Sequence, residues 1–407
     1  MNVQTVNART KIAFVTPWYG PHVMGGAETV ARQTATRLRR SGLPVEVLTT
    51  CVKGPRADWS HNHFRAGVSN VDGVPVHRFR VRRRDAVQFD QINWKLLHGA
   101  SISAEEESRF LNQMINSEPL YRYIKRHQNE YLFFFTPYLF STTYYGVLAA
   151  PDRALVIPAL HDEPYARMGV YRQMFEAARG LLFLSSPEMA LAQQLYGIPE
   201  ERCWLVGAGV DTDVQDDAAA FRQKYGLDDP FVLYVGRREP GKNTPLLIEY
   251  FAAYKRRMGG PLKLVVIGPG EIAVPSDVAD EVLDLGVVSP QDKNNAHAAA
   301  LALCQPSVNE SFSLVLMDSW LNGTPVLVHA DCQVTREHCR CSNGGLWFGN
   351  YYEFEECVNF LLDHPEAREK MAANGRRYVR ANYSWHVIME RYHKLLEHIW
   401  QEIDRLG

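Results

Sequence analysis

Residues 11–50 read KIAFVTPWYGPHVMGGAETVARQTATRLRRSGLPVEVLTT, and this stretch decides the fold. Lys11–Thr16 is an apolar run of strand length. A loop rich in Pro and Gly follows, and Val30, Ala31, Thr34 and Leu38 then keep helical spacing over residues 28–40. Ser41 and Gly42 stop that helix, and Val45–Thr50 reads as a second strand. Strand, helix and strand in about 40 residues make a βαβ unit, and such units build parallel sheets covered by helices.

The alternation continues outward. Residues 75–80, 131–135, 154–160, 181–184 and 203–206 read as strands, and 101–128, 170–178 and 187–196 as helices. A second series opens at Phe231–Val235, with strands at 262–267, 302–306 and 325–329 and helices at 244–257 and 290–300. Helices near 351–363, 366–381 and 385–406 complete it, and the acidic segment 211–229 marks the junction. At 407 residues the chain exceeds what one core usually supports. The expected fold class is α/β, with two Rossmann-like parallel-sheet domains at 1–207 and 208–384 and a terminal helix at 385–407. Open parallel sheets hold ligands outside the carboxyl ends of their strands, and a cleft between two of them suits a two-substrate reaction.

Composition narrows the function. Lys+Arg 44 against Asp+Glu 46 gives a net charge of −2, which lends no support to nucleic-acid binding. No apolar run reaches the length of a membrane span, and the start, MNVQTVNARTK, is polar and unlike a secretory signal. Seven scattered cysteines in such a chain are expected to be reduced, in a cytoplasmic protein.

Four stretches could carry chemistry. Gly25 and Gly26 lie between a strand and a helix, where backbone N–H groups can approach a phosphate. A tight turn would read the same way, and the dinucleotide fingerprint GxGxxG is absent. The loop 236–243 holds Arg237, Arg238 and Lys242, which suit a diphosphate; a solvated basic turn is the plainer alternative. His161-Asp162-Glu163 follows an apolar strand, whose end aims side chains into a crevice. In NESFSLVLMDSW, residues 309–320, Glu310 opens a helix-like run and Asp318 follows eight positions later, on the same side. A helix start favours anions, so an acid there suits a different task, such as holding sugar hydroxyls.

Other clusters carry less. Cys332, His338, Cys339 and Cys341 lack the paired C-x2-C spacing of a zinc site. HNH at 61–63 reads as a polar loop. Arg78, Arg80, Arg82, Arg83 and Arg84, with the basic and aromatic run 121–127, form a solvated face or a contact for anionic lipid headgroups or a charged acceptor.

Taken in order, GGAE (25–28), HDE (161–163), GVD (209–211), the GR…KN loop (236–243), VVIGPGE (265–271), GVVSPQDK (286–293) and NESFSLVLMD (309–318) resemble the retaining glycosyltransferases of family four. The resemblance spans nearly the whole chain and implies a GT-B fold, whose final helix crosses back to the first domain. It implies a nucleotide-diphosphate sugar donor, of UDP, GDP, dTDP or ADP type, and no metal or other cofactor. Transfer would go to a hydroxyl of a saccharide, lipid-linked or metabolite acceptor, in surface polysaccharide, glycolipid or metabolite glycosylation. Gly25 and Gly26 would lie against the diphosphate, and Arg237 and Lys242 would neutralise it as it leaves. Glu310 would hold the sugar hydroxyls, Phe312, Ser313 and Leu314 would offer N–H groups, and Asp318 would bind the ribose. Val288 would lie near the base and His161 near the reacting carbon. The second acid of the family's pattern is Glu, and Asp318 is one methylene shorter. The stretch 329–345, HADCQVTREHCRCSNGG, also departs from the family, and 52–128 matches nothing assignable. A GT-B epimerase or phosphorylase and a non-catalytic nucleotide-sugar-binding subunit are the competing readings.

Overall fold

The computed structural model describes residues 10–23 and 25–406. Met24 of the first glycine loop and the N-terminal nine residues therefore lie outside the described residues. The chain divides into two compact units, Met1–Gly209 with Met389–Gly407, and Val210–Ile388.

The first unit is built on eight strands: β1 (Lys11–Val15), β2 (Val45–Thr50), β3 (Gly67–Val71), β4 (Val74–Phe79), β5 (Tyr131–Phe135), β6 (Ala154–Val156), β7 (Gly180–Phe183) and β8 (Cys203–Leu205). Their order is β3-β4-β2-β1-β5-β6-β7-β8. All neighbours are parallel except the β3–β4 hairpin. That hairpin turns at Asp72-Gly73, both at positive φ (53° and 85°), as a two-residue turn between twisted strands requires. β3 is exposed and reads GVSNV, so no apolar alternation announces it. All five residues of β5 are buried, which is why YLFFF shows no polar face. The strand expected at 154–160 ends at Val156, and Ala159 beyond it has φ +53°.

The second unit has six strands, all parallel: β9 (Phe231–Val235), β10 (Lys263–Ile267), β11 (Val282–Gly286), β12 (Ala302–Gln305), β13 (Val326–His329) and β14 (Gly345–Phe348). Their order is β11-β10-β9-β12-β13-β14. Both sheets reverse direction once, between β1 and β5 in the first and between β9 and β12 in the second. Crevices form where strand order reverses, because the connections on either side leave for opposite edges. The glycine loop after β1 and the loops after β9 and β12 therefore sit where a ligand is favoured.

The last helix, Trp385–Leu406, begins in the second unit and continues from Met389 in the first. There Tyr392 is fully buried and packs on Phe134 with ring centroids 6.3 Å apart. Arg391 donates to the Val206 carbonyl at 3.2 Å, and Arg179 donates to Glu402 at 2.6 Å. No helix among the described residues is long and apolar enough to cross a membrane.

Candidate active site

In the second unit, the loops after β9 and β12 meet through charge. Lys242 Nζ donates to Glu310 Oε1 at 2.7 Å, and both side chains are mostly buried (21% and 11% exposed). Asn243 adopts a left-handed conformation (φ 56°) at the start of helix Thr244–Met258, and its amide donates to the Pro306 carbonyl at 3.0 Å. This second tie fixes the spacing of the two loops. Tyr234, at the end of β9, donates to the Arg237 carbonyl at 2.6 Å. Burial pushes its phenol well above the usual range, so it remains a donor.

The two arginines of this loop part company. Arg237 is exposed and pairs with Glu239 at 3.0 Å. Arg238 is buried and turns to Asp284 on β11, while its N–H donates to the Pro269 carbonyl at 2.9 Å. Arg238 is thus a brace of the sheet end rather than a second cation for a diphosphate. The close fit needs glycine: a Cβ on Gly268 (φ +135°) would lie 1.9 Å from the Gly236 carbonyl oxygen.

Glu310 does not open the helix, contrary to expectation. The helix is Leu314–Leu321, and Ser313 before it sits at φ 72°. That left-handed residue breaks helical continuity, so residues 309–313 form a loop. Glu310 and Asp318 therefore do not share one helical face. Glu310 faces Lys242, whereas Asp318 Oδ2 accepts from Lys293 Nζ at 2.6 Å. Lys293 lies on helix Pro290–Ala299 and closes the GVVSPQDK stretch, but nothing in the sequence pairs it with Asp318. Val288 is half-buried in the turn between β11 and that helix. Leu314 is half-buried at the helix start. Phe312 is 2% exposed and its ring meets Tyr383 at 4.9 Å and His338 at 5.2 Å, so its side chain anchors the loop from behind.

That anchor explains the Cys-rich stretch. Gln333–Ser342 is a helix whose buried His338 shares a hydrogen bond with Tyr378 at 3.0 Å. Burial pushes His338 down to about 4, so it is a neutral core group near pH 7. Among the described residues no group of three or more His, Cys, Asp and Glu is placed to hold a metal. All seven cysteines are free.

In the first unit, Gly25 caps helix Gly26–Arg40. A Cβ on Gly25 would lie 2.1 Å from Glu28 Oε2, and Glu28 Oε1 accepts from the Trp18 indole at 2.9 Å. Glu28 thus supplies negative charge to this helix start itself. Gly26 is exposed with open space at its Cβ position. His161 is half-buried, with Nδ1 3.9 Å from Glu163 Oε1, which accepts from Tyr138 at 2.7 Å. Behind it, Glu188 takes the N–H groups of Leu160 (2.8 Å) and Leu184 (2.7 Å), tying the β6 end to the β7 end. Glu188 is buried in helix Ser186–Tyr196, whereas in the sequence it is an ordinary acid near a helix start.

The arginines of 78–84 do not form one patch. Arg78 is buried over the Phe64 ring (4.2 Å) and donates to the Tyr19 carbonyl at 2.9 Å. Arg82 donates to Asn112 at 2.5 Å, and Arg84 donates to Gln113 at 3.1 Å while lying over Trp59. Only Arg80 and Arg83 of the five are exposed.

Two α/β units, each built on a largely parallel sheet with one reversal of strand order, make up the GT-B fold. The fold is shared with HepE of Anabaena in complex with UDP, at TM-score 0.69 and 16% identity over 96% of this chain and 100% of that one. It is shared equally with the sucrose-phosphate synthase of Thermosynechococcus elongatus, at TM-score 0.72 and 16% identity over 97% and 100%. Residues 217–378 match the family model for glycosyl transferases group 1. An uncharacterized glycosyltransferase of Methanocaldococcus jannaschii is 24% identical over 405 residues, covering 92% of this chain and 95% of that one. The D-inositol 3-phosphate glycosyltransferase of Gordonia bronchialis is 25% identical over 382 residues, covering 89% and 81%.

Proposed function

We propose that this group 1 glycosyltransferase moves a hexose-type sugar from a nucleotide-diphosphate donor to an acceptor hydroxyl, with retention and without a metal. The observation that carries this reading is the Lys242–Glu310 pair at the β9/β12 reversal. A cation and a carboxylate held together there have separate work when a donor enters. Lys242, with the exposed Arg237, neutralises the diphosphate as the anomeric C–O bond breaks, which is electrostatic stabilisation of developing charge. Glu310, released from Lys242, accepts hydrogen bonds from the sugar hydroxyls. The N–H groups of Phe312, Ser313 and Leu314 face the donor at the short helix start, and Asp318 takes the ribose hydroxyls while Lys293 holds its other side. Val288 borders the base. His161, steadied by Glu163 and by Glu188 behind it, serves the sugar near the reacting carbon, and Gly25 and Gly26 border the diphosphate. The acceptor hydroxyl attacks the face the phosphate leaves, and the phosphate takes its proton. The HepE structures hold UDP and UDP-glucose, which supports a nucleotide-sugar donor here.

The test is a panel of UDP-, GDP-, dTDP- and ADP-sugars, scored for thermal stabilisation and slow hydrolysis in the presence of EDTA. One donor should stabilise the protein by about 2.7 kcal/mol at a hundredfold excess over its Kd. A protein stabilised by none of the four would refute the donor reading, and hydrolysis abolished by EDTA would refute the metal-free one.

A further inference from the structure

The loop after β2 and the end of β4 form a basic hollow that the reaction described above does not use. It has a volume of about 420 Å3 and is lined by Asn62, His63, Phe64, Arg65, Ala66 and Arg80. No carboxylate lines it. Among the described residues neither Arg65 nor Arg80 has a carboxylate within ion-pair distance, whereas most other arginines of the basic stretch are tied to carbonyls or acids. Two unpaired guanidinium groups facing one hollow repel each other, and a chain of net charge −2 has acids to spare for neutralising them.

The hollow has a fixed floor. The Asn62 side chain makes two hydrogen bonds to the Val81 backbone, at 2.8 and 3.1 Å. Phe64 is held between the Arg78 guanidinium at 4.2 Å and the His63 ring at 4.8 Å, and its N–H donates to Cys51 at 2.8 Å. Cys51 follows β2 and bonds to Phe79 at the end of β4, so the hollow sits at the carboxyl edge of the sheet. The loop after β1 reaches it too: the His22 ring lies 5.5 Å from Phe64, three residues before Gly25. Ligands of open parallel sheets gather at this edge.

We propose that Arg65 and Arg80, with His63, bind a phosphate group carried by the acceptor. Two guanidinium forks match phosphate oxygens in pairs, and an imidazole adds a third donor. The phosphate belongs either to a soluble phosphorylated molecule or to a lipid headgroup. This inference rests on the reading of the protein as a transferase with its donor in the second unit.

The experiment uses the full chain and the double variant Arg65→Gln/Arg80→Gln. Each is titrated with inorganic phosphate and sedimented with phosphatidylcholine vesicles, with and without phosphatidylglycerol. Phosphate affinity at least about tenfold weaker in the variant supports the proposal. Vesicle binding that needs phosphatidylglycerol and is lost in the variant supports it too and names the lipid headgroup. Phosphate binding without sedimentation names a soluble acceptor. Identical behaviour of the two proteins in both arms overturns it. UDP binding is measured on both: retention by the variant shows that it is folded. Absence of UDP binding by the native protein would strike the donor reading and leave the phosphate comparison standing.

Discussion

Lys242 and Glu310 each compensate the other's charge, and removing either leaves a mostly buried ion alone. Glu310→Ala strips the proposed sugar clamp, and Lys242→Ala strips charge from the leaving diphosphate. Each should lower turnover by roughly 100- to 1000-fold, the usual cost of losing one electrostatic contact to a transition state. Turnover measured beside circular dichroism checks this, and native-like rates in both variants would refute the roles. The sequence showed these residue types but not which partner each would find. Arg237 and Arg238 are adjacent and alike on paper, yet one faces solvent and the other braces β11. Only the register of β9 against β10, and of β10 against β11, decides between them. The pairing of Lys293 and the role of Glu188 were illegible for a related reason: each matters through a partner distant in sequence, at positions 318 and 160.

At the scale of elements, apolar runs made the central strands legible because both their faces are buried. Of the four edges only β8 was legible: β3, β11 and β14 expose residues such as Asp284 and Trp347, which interrupts the apolar pattern. The helix at 314–321 was misplaced at its start because a positive φ at a serine has no compositional signature. Two consequences follow from the elements as observed. Gly268→Ala forces a Cβ into the Gly236 carbonyl and so displaces the loop after β9, which carries Lys242 and Asn243. It should cost about 2–4 kcal/mol in denaturant unfolding and weaken nucleotide binding together. The second concerns pH. His297 and His338, both in the second unit, are pushed down to about 4 by burial. An unfolded histidine takes its proton near 6.5, so between those values the unfolded chain binds more protons than the folded one. Their contribution is present above pH 6.5 and is lost as pH falls towards 4. Unfolding at pH 7.5 and pH 5 should therefore show less loss for His338→Gln than for the native protein. An equal loss would assign the acid sensitivity elsewhere.

For the whole molecule, the first unit takes its last helix from the far end of the chain. Tyr392, Leu395, Leu396 and Ile399 are buried along it. Each is worth about 1.5–3 kcal/mol on burial, so their sum rivals the stability of an ordinary domain. Deleting residues 389–407 should therefore abolish the cooperative unfolding of the first unit while nucleotide still shifts the melting of the second. Calorimetry with and without nucleotide separates the two transitions. A truncated protein that keeps both would show that the helix is dispensable.

The same path of the chain sets an order of events at the ribosome. Residues 210–388 are contiguous, so the second unit has its whole sequence once they have emerged. The first unit begins earlier but lacks its closing helix until residues from Met389 onward have emerged as well. The half that starts first thus finishes last, and its apolar seam around Phe134 waits uncovered through the making of the other half.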